Sequence, residues 1–252
     1  MKNLFLCAGL AFLLACTHQS IPEKPGSEPP SHATWDTLLH RHVSAAGKVD
    51  YRGFGKDSLL LNQYLDSLSQ HPPDPKNWSR EEQLAYWINA YNAFTVKLIV
   101  DHYPVKGIQD LHPKPYVPLV NTVWHIKFFR IGNQDFNLDQ IEHAILRKQF
   151  DEPRIHFAIV CASVSCPPLR NEAYVAEKME DQLDSQARLF INDPTRNRLQ
   201  PHQVDISQLF NWFTGDFTKK ENLIAFLNRY ATVKINPDAK IDYLEYNWDL
   251  NE

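Results

Sequence analysis

The chain has 252 residues, with 26 Lys and Arg against 30 Asp and Glu, a formal net charge of −4. That balance, without any dense Lys/Arg patch, gives no electrostatic footprint for nucleic acid. Hydrophobic residues at 43% and aromatics at 12% exclude wholesale disorder, the length suits one domain, and four cysteines are too few for a disulfide scaffold.

In chain order, Lys2 precedes an apolar run over residues 4–15. As a helix that run rises about 18 Å, too short for a bilayer core of about 30 Å, so it reads as a secretory signal over 1–15. It ends in Leu13-Leu14-Ala15-Cys16, which resembles the bacterial lipobox. The resemblance implies cleavage before Cys16 and acylation of its sulfur and amine. The N-terminal lipid makes the membrane a partner, and two or more chains anchor stably. By resemblance to Gram-negative sorting, Thr17 in place of Asp favours the outer membrane, on the periplasmic side of the envelope. No later stretch is apolar for 18 residues. Residues 16–33 carry Pro22, Pro25, Pro29 and Pro30 and no aromatic, which predicts a partly extended tether before one domain over 34–252.

Trp35, Leu38, Leu39 and Val43 fall at helical spacing. Val49-Asp50-Tyr51 predicts a short strand or turn, and residues 59–68 an amphipathic helix that the prolines of 71–75 end. Ser79 with Glu82 forms a capping-box signature, opening a helix over 81–103. That helix is apolar on nearly every face and is expected to be buried all round. Its polar stripe, Glu82, Tyr86, Asn89 and Asn92, either binds nearby backbone or lines a polar cleft. Gly132-Asn133 between apolar runs predicts a hairpin. Helices follow over 138–150, capped by Asn137, and over 172–191, with a buried strand at 154–160 between them. Strands at 204–206 and 241–246 and helices at 207–213 and 220–230 complete an α+β, helix-rich single domain with a small sheet.

The reactive side chains concentrate between Glu142 and Arg170. Glu142, His143, Arg147, Arg154 and His156 precede Cys161 and Cys166, which flank a Ser-rich turn closed by Pro167 and Pro168. Four readings are open. The two cysteines form a disulfide, whose short loop restricts the unfolded chain by about 2 kcal/mol. Alternatively Cys166, in the turn rather than at a strand end, is a nucleophile with His156 or His143 as base and Glu142 as the orienting acid. Thirdly, the two histidines and two cysteines bind zinc, although their spacing matches no standard motif. Lastly, all are satisfied core residues. Arg147, Arg154 and Arg170 either clamp an anionic substrate group or pair with acidic neighbours.

Four stretches in order resemble the family called domain of unknown function 547. They are Tyr86-Trp87-Ile88-Asn89-Ala90-Tyr91-Asn92-Ala93, then Leu138-Asp139-Gln140-Ile141-Glu142-His143-Ala144-Ile145-Leu146-Arg147, then His156 through Cys161 with Ser165-Cys166-Pro167-Pro168-Leu169, and the ending Tyr246-Asn247-Trp248-Asp249-Leu250-Asn251. The resemblance runs from about residue 35 to 252. It implies that the asparagine stripe and the 142–166 cluster are both family motifs and meet in one cleft. The family's activity is unassigned. Ala162 stands where the resemblance implies glycine, which bears on how sharply the chain turns there. A papain-like or transglutaminase-like core is an analogy of fold alone.

Two functions fit these residues. One is a thiol-dependent hydrolase or acyl transferase acting on a peptide or envelope amide. In it Cys166 is the nucleophile, His156 or His143 the base and Glu142 the orienting acid, and Asn89, Asn92, Arg147 and Arg170 contact substrate. The other is a non-catalytic envelope module that binds a peptide or small molecule in a cleft braced by a Cys161–Cys166 disulfide. Neither needs a cofactor or a metal.

Overall fold

A computed structural model describes residues 22–118 and 120–252. The expected signal at 1–15 and the lipidated Cys16 lie outside the described residues. Within the stretch expected as a tether over 16–33, Pro22 and Ser27 are buried and Lys24, Gly26, Ser27 and His32 bond to the domain. Gly26 donates its N–H to Asp74 Oδ2 at 2.7 Å, and the Trp78 indole donates to the Ser27 carbonyl at 2.7 Å. The Ser27 hydroxyl, itself buried, donates to the Pro72 carbonyl at 2.8 Å.

Helix α1 (Ala33–His42) packs on α2 (Tyr51–Lys56) and α3 (Ser58–Gln70), and those two pack on α4 (Arg80–His102). The capping box that opens α4 is present. The Ser79 hydroxyl accepts from the Glu82 N–H, and the Glu82 carboxylate accepts from the Ser79 N–H. Residues 84–96 of α4 are buried without a break, as a helix apolar on all faces requires. Trp35 of α1 stacks on Tyr64 of α3 with the rings nearly parallel. Each large side chain so buried contributes about 2–3 kcal/mol.

The hairpin pairs β1 (Phe129–Ile131) with β2 (Gln134–Phe136) in the register Phe129 to Phe136, around the Gly132-Asn133 turn. Gly132 takes φ +60°, as the turn requires. The predicted helix at 138–150 forms, and the Asn137 side chain accepts from the Gln140 N–H. Its middle, Gln140–Leu146, is π-helical and runs into α5 (Arg147–Gln149).

The predicted strand at 154–160 is absent; the chain forms one helical turn there, α6 (Ile155–Ala158). Residues 172–175, expected as helix, are not helical, and α7 (Met179–Ile191) begins later. A three-stranded sheet holds β3 (Arg198–Leu199), β4 (Gln203–Ile206) and β5 (Lys240–Tyr243). Strand β4 is central, antiparallel to β3 and parallel to β5. Helices α8 (Gln208–Trp212), α9 (Thr214–Phe217) and α10 (Leu223–Tyr230) pack with α7, β4 and Phe157 into a second apolar core beside the one around α4. The molecule is an α+β domain, helix-rich with small sheets, and no described helix is long and apolar enough to cross a membrane.

The last residues fold back over the loop after α6. Val164 donates to the Asp249 carbonyl at 2.8 Å, Ser165 to that of Asn247 at 3.2 Å, and Asn251 to that of Ala162 at 3.2 Å. This pairing carries Tyr246 and Trp248 to the middle of the molecule.

Candidate functional site

A cleft of about 630 Å³ opens between the π-helical segment, the 161–166 loop, α8 and the C-terminal tail. Its size is that of small-molecule sites in general. Glu142, His143, Arg147, His156, Cys161 and Cys166 all line it, so the 142–166 cluster does meet in one place.

Cys161 and Cys166 are disulfide-bonded, with Cα atoms 6.2 Å apart. This corrects the expectation that Cys166 is a free nucleophile. A sulfur held in a disulfide carries no thiolate to attack with, and neither sulfur is free to ligate zinc. Tyr246 donates its hydroxyl to Cys166 Sγ at 3.2 Å, and the Cys161 N–H donates to the same sulfur at 2.9 Å. Cys161 Sγ lies 3.2 Å from the Ser163 hydroxyl. Among the described residues no histidine hydrogen-bonds to either sulfur. Ala162, between them in the loop, has φ +60°.

His156 is buried and stacks on Phe213, ring centroids 3.9 Å apart. Its partner is Asp216 of α9, not Glu142: His156 Nε2 lies 2.7 Å from Asp216 Oδ2. Arg147 donates to the same carboxylate from Nε at 2.6 Å and from an NH2 group at 3.1 Å. The clamp expected of Arg147 is therefore closed on a residue of this chain. Burial works to raise the Asp216 carboxyl, but the hydrogen bonds from His156 and Arg147 outweigh it and hold it well below the usual carboxylate range. Burial lowers the His156 imidazole, so at neutral pH it donates Nε2–H to the carboxylate as a neutral ring.

Arg147 also donates to His143 Nδ1 at 2.8 Å. Since a guanidinium has no acceptor, the His143 proton sits on Nε2, which faces Asp139 at 3.6 Å. Burial lowers the His143 imidazole as well. His125 Nε2 approaches the same Asp139 oxygen at 3.6 Å. Glu142 orients neither histidine. It lies nearly buried on the cleft floor, accepting from the Tyr91 hydroxyl at 3.3 Å, and burial raises its carboxyl to about 7.

Asn89 and Asn92 do not reach the cleft. Each closes a pair of hydrogen bonds on buried backbone. Asn89 donates to the Tyr174 carbonyl at 2.8 Å and accepts from the Tyr174 N–H at 3.0 Å. Asn92 donates to the Ala158 carbonyl at 2.9 Å and accepts from the Val160 N–H at 2.9 Å. Their expected substrate or oxyanion role is not where the structure puts them: both hold buried backbone and neither lines the cleft. Arg170 is likewise taken, by Glu172 through Nε at 2.8 Å and by the Ser185 hydroxyl at 2.9 Å, and it lies outside the cleft lining. Arg154 binds Glu152, Glu180 and Asp184.

Trp124, Trp212, Tyr246 and Trp248 give the cleft an aromatic lining, of which only Tyr246 and Trp248 belong to a stretch quoted for the resemblance. Trp212 of α8 lies 4.8 Å from Tyr246 and 5.8 Å from Trp248, centroid to centroid, and Tyr246 and Trp248 are 4.6 Å apart. Trp124 continues the surface, 5.8 Å from Trp248. Trp212 is 47% exposed. A half-exposed tryptophan beside Tyr246 and Trp248 is the sign of this surface, and only the fold brings the three together. Among the described residues no group of three His, Cys, Asp or Glu side chains is placed to hold a metal ion.

Residues 75–191 match the family described as protein of unknown function, DUF547, a shorter span than the resemblance along the chain suggested. The matched stretch holds α4, the hairpin, the π-helical segment, the disulfide loop and α7. No curated protein and no solved structure matches the chain.

Proposed function

We propose that this chain, which carries a DUF547-family domain, is a non-catalytic ligand-binding module of the bacterial envelope. Its cleft takes a small molecule or a peptide end, and the Cys161–Cys166 disulfide braces the cleft wall. A lipid on Cys16 holds it to the periplasmic side, at the outer membrane. The observation that carries this reading is the disulfide itself. It removes the only nucleophile that thiol hydrolysis or acyl transfer had, while leaving a cleft whose aromatic lining and carboxyl floor suit recognition.

The electrostatics support binding in the same way. Arg147, His156 and Asp216 satisfy one another, so they fix the shape of the cleft base rather than reach for substrate. Glu142, with its carboxyl raised to about 7, holds a proton over much of the range below neutrality and can donate it to a ligand acceptor.

The test is peptide mapping without reduction, on protein taken from its own envelope and alkylated at pH 6. A Cys161–Cys166 linked peptide with no alkylated Cys166 is the expected result. A Cys166 that alkylates faster than a model thiol overturns the reading and restores the thiol enzyme. Cys16→Ser is expected to move the protein from the membrane fraction to the soluble one, and retention at the membrane would remove the lipid anchor.

A further inference from the structure

We infer that the cleft ligand is a saccharide whose ring face lies on the Trp212–Tyr246–Trp248 surface while its hydroxyls reach Glu142 and Asp139 in the same cleft. The inference rests on the ligand-binding reading and names the ligand class.

The ring arrangement is the first argument. The centroids of Trp212, Tyr246 and Trp248 lie 4.6–5.8 Å from one another, so the rings touch. A cage for a quaternary ammonium needs ring faces set apart around the cation, each about 6 Å or less from its centre. Rings already in contact leave no room between them. Trp212 and Trp248 lie within 22° of parallel while Tyr246 is tilted 49–51° to both, so the rings form a stepped aromatic surface against which a ring face can lie, with the two indoles as its flatter part. The C–H face of a pyranose is weakly positive and suits the negative face of an aromatic ring.

The second argument is the polar floor. Asp139 offers carboxylate acceptors, His143 presents Nε2–H, and Glu142 lies deep enough to lose most of its water. A purely apolar planar ligand would strip the remaining water from these groups and return no hydrogen bonds. Sugar hydroxyls both donate and accept, so they match acceptor and donor alike. The third argument is charge. Arg147 and Asp216 already neutralise each other at the cleft base, so no unpaired guanidinium there calls for an anionic ligand.

The probes are chitotriose (three N-acetylglucosamine units), cellotriose and indole-3-acetate, titrated into the disulfide-intact mature protein and followed by calorimetry. At least one saccharide is expected to bind. Trp212→Ala is expected to weaken it at least tenfold with an unchanged far-UV circular dichroism spectrum, since Trp212 is half exposed. Glu142→Gln is expected to change the pH dependence of saccharide binding between pH 5 and 8. Binding of indole-3-acetate alone, or of no probe, overturns the saccharide assignment. Saccharide binding that Trp212→Ala and Trp248→Ala leave intact overturns it as well. The reading beneath it fails separately, through a reactive Cys166 in the mapping experiment.

Discussion

His156 and Asp216, sixty positions apart, share a 2.7 Å hydrogen bond in which the imidazole nitrogen that a base would use is bound to a carboxylate. Asp216 also takes both contacts from Arg147, so a single α9 side chain fixes a histidine and an arginine of two other segments.

Asp216→Asn keeps the shape and removes the charge. Losing the partner of a half-buried guanidinium is expected to cost about 2 kcal/mol at pH 7, read from urea unfolding. The folded-state carboxyl is depressed, so its contribution is complete above the unfolded value near 4 and disappears as pH falls toward the lower folded value. The part of the gap that belongs to the Asp216 carboxylate itself should narrow only below about 4.

Glu142 has the opposite sign. Its carboxyl is raised by burial to about 7, so the folded state binds more protons than the unfolded state between about 4 and 7. That stabilisation is whole in acid and is lost as pH rises through the folded value. Native protein should therefore lose stability on the order of 3 kcal/mol at this group between pH 5 and pH 8. Glu142→Gln should flatten that slope and be the more stable protein at pH 8. Equal slopes in parallel unfolding series would show that the carboxyl is not held neutral.

Asn92→Ala should destabilise by about 3 kcal/mol, because the Ala158 carbonyl and the Val160 N–H are left buried without partners. Chemical unfolding reads the loss. A cost below about 1 kcal/mol would mean that water replaces the side chain.

Ala162→Gly should be nearly neutral, within about 0.5 kcal/mol, although an ordinary buried Ala→Gly change is costly. Relief of the left-handed backbone at φ +60° offsets the lost methyl group and the greater freedom of the unfolded chain. Ala162→Val should cost more than about 2 kcal/mol, since a β-branched side chain fits that conformation worst. Paired thermal melts compare the two.

Local signals were legible where the physics is local. The Ser79–Glu82 box, the Gly132-Asn133 turn and the Asn137 cap each lie within a few residues of the backbone groups they satisfy. The segment at 154–160 differs from the expected strand because a short apolar run fits any chain buried on both sides, helical or extended. Here Asn92 binds Ala158 and Val160, and α6 forms just ahead of them. Residues 172–175 look helical by composition, yet Asn89 binds both backbone groups of Tyr174 and Asp36 takes the Ala173 N–H. Asp216, Trp212 and the rings beside it come from segments that only the tail pairing and the second core bring near Cys161. No spacing rule along the chain would find them.

The N-terminal segment bears on distance from the bilayer. Eighteen loose residues would let the domain roam some 60 Å from a lipidated Cys16. With Lys24, Gly26 and Ser27 fastened to the fold, the stretch from Lys24 onward adds none of that reach. Under the proposed lipid anchor, the fastened segment would keep the domain nearer the headgroups than a free tether of that length.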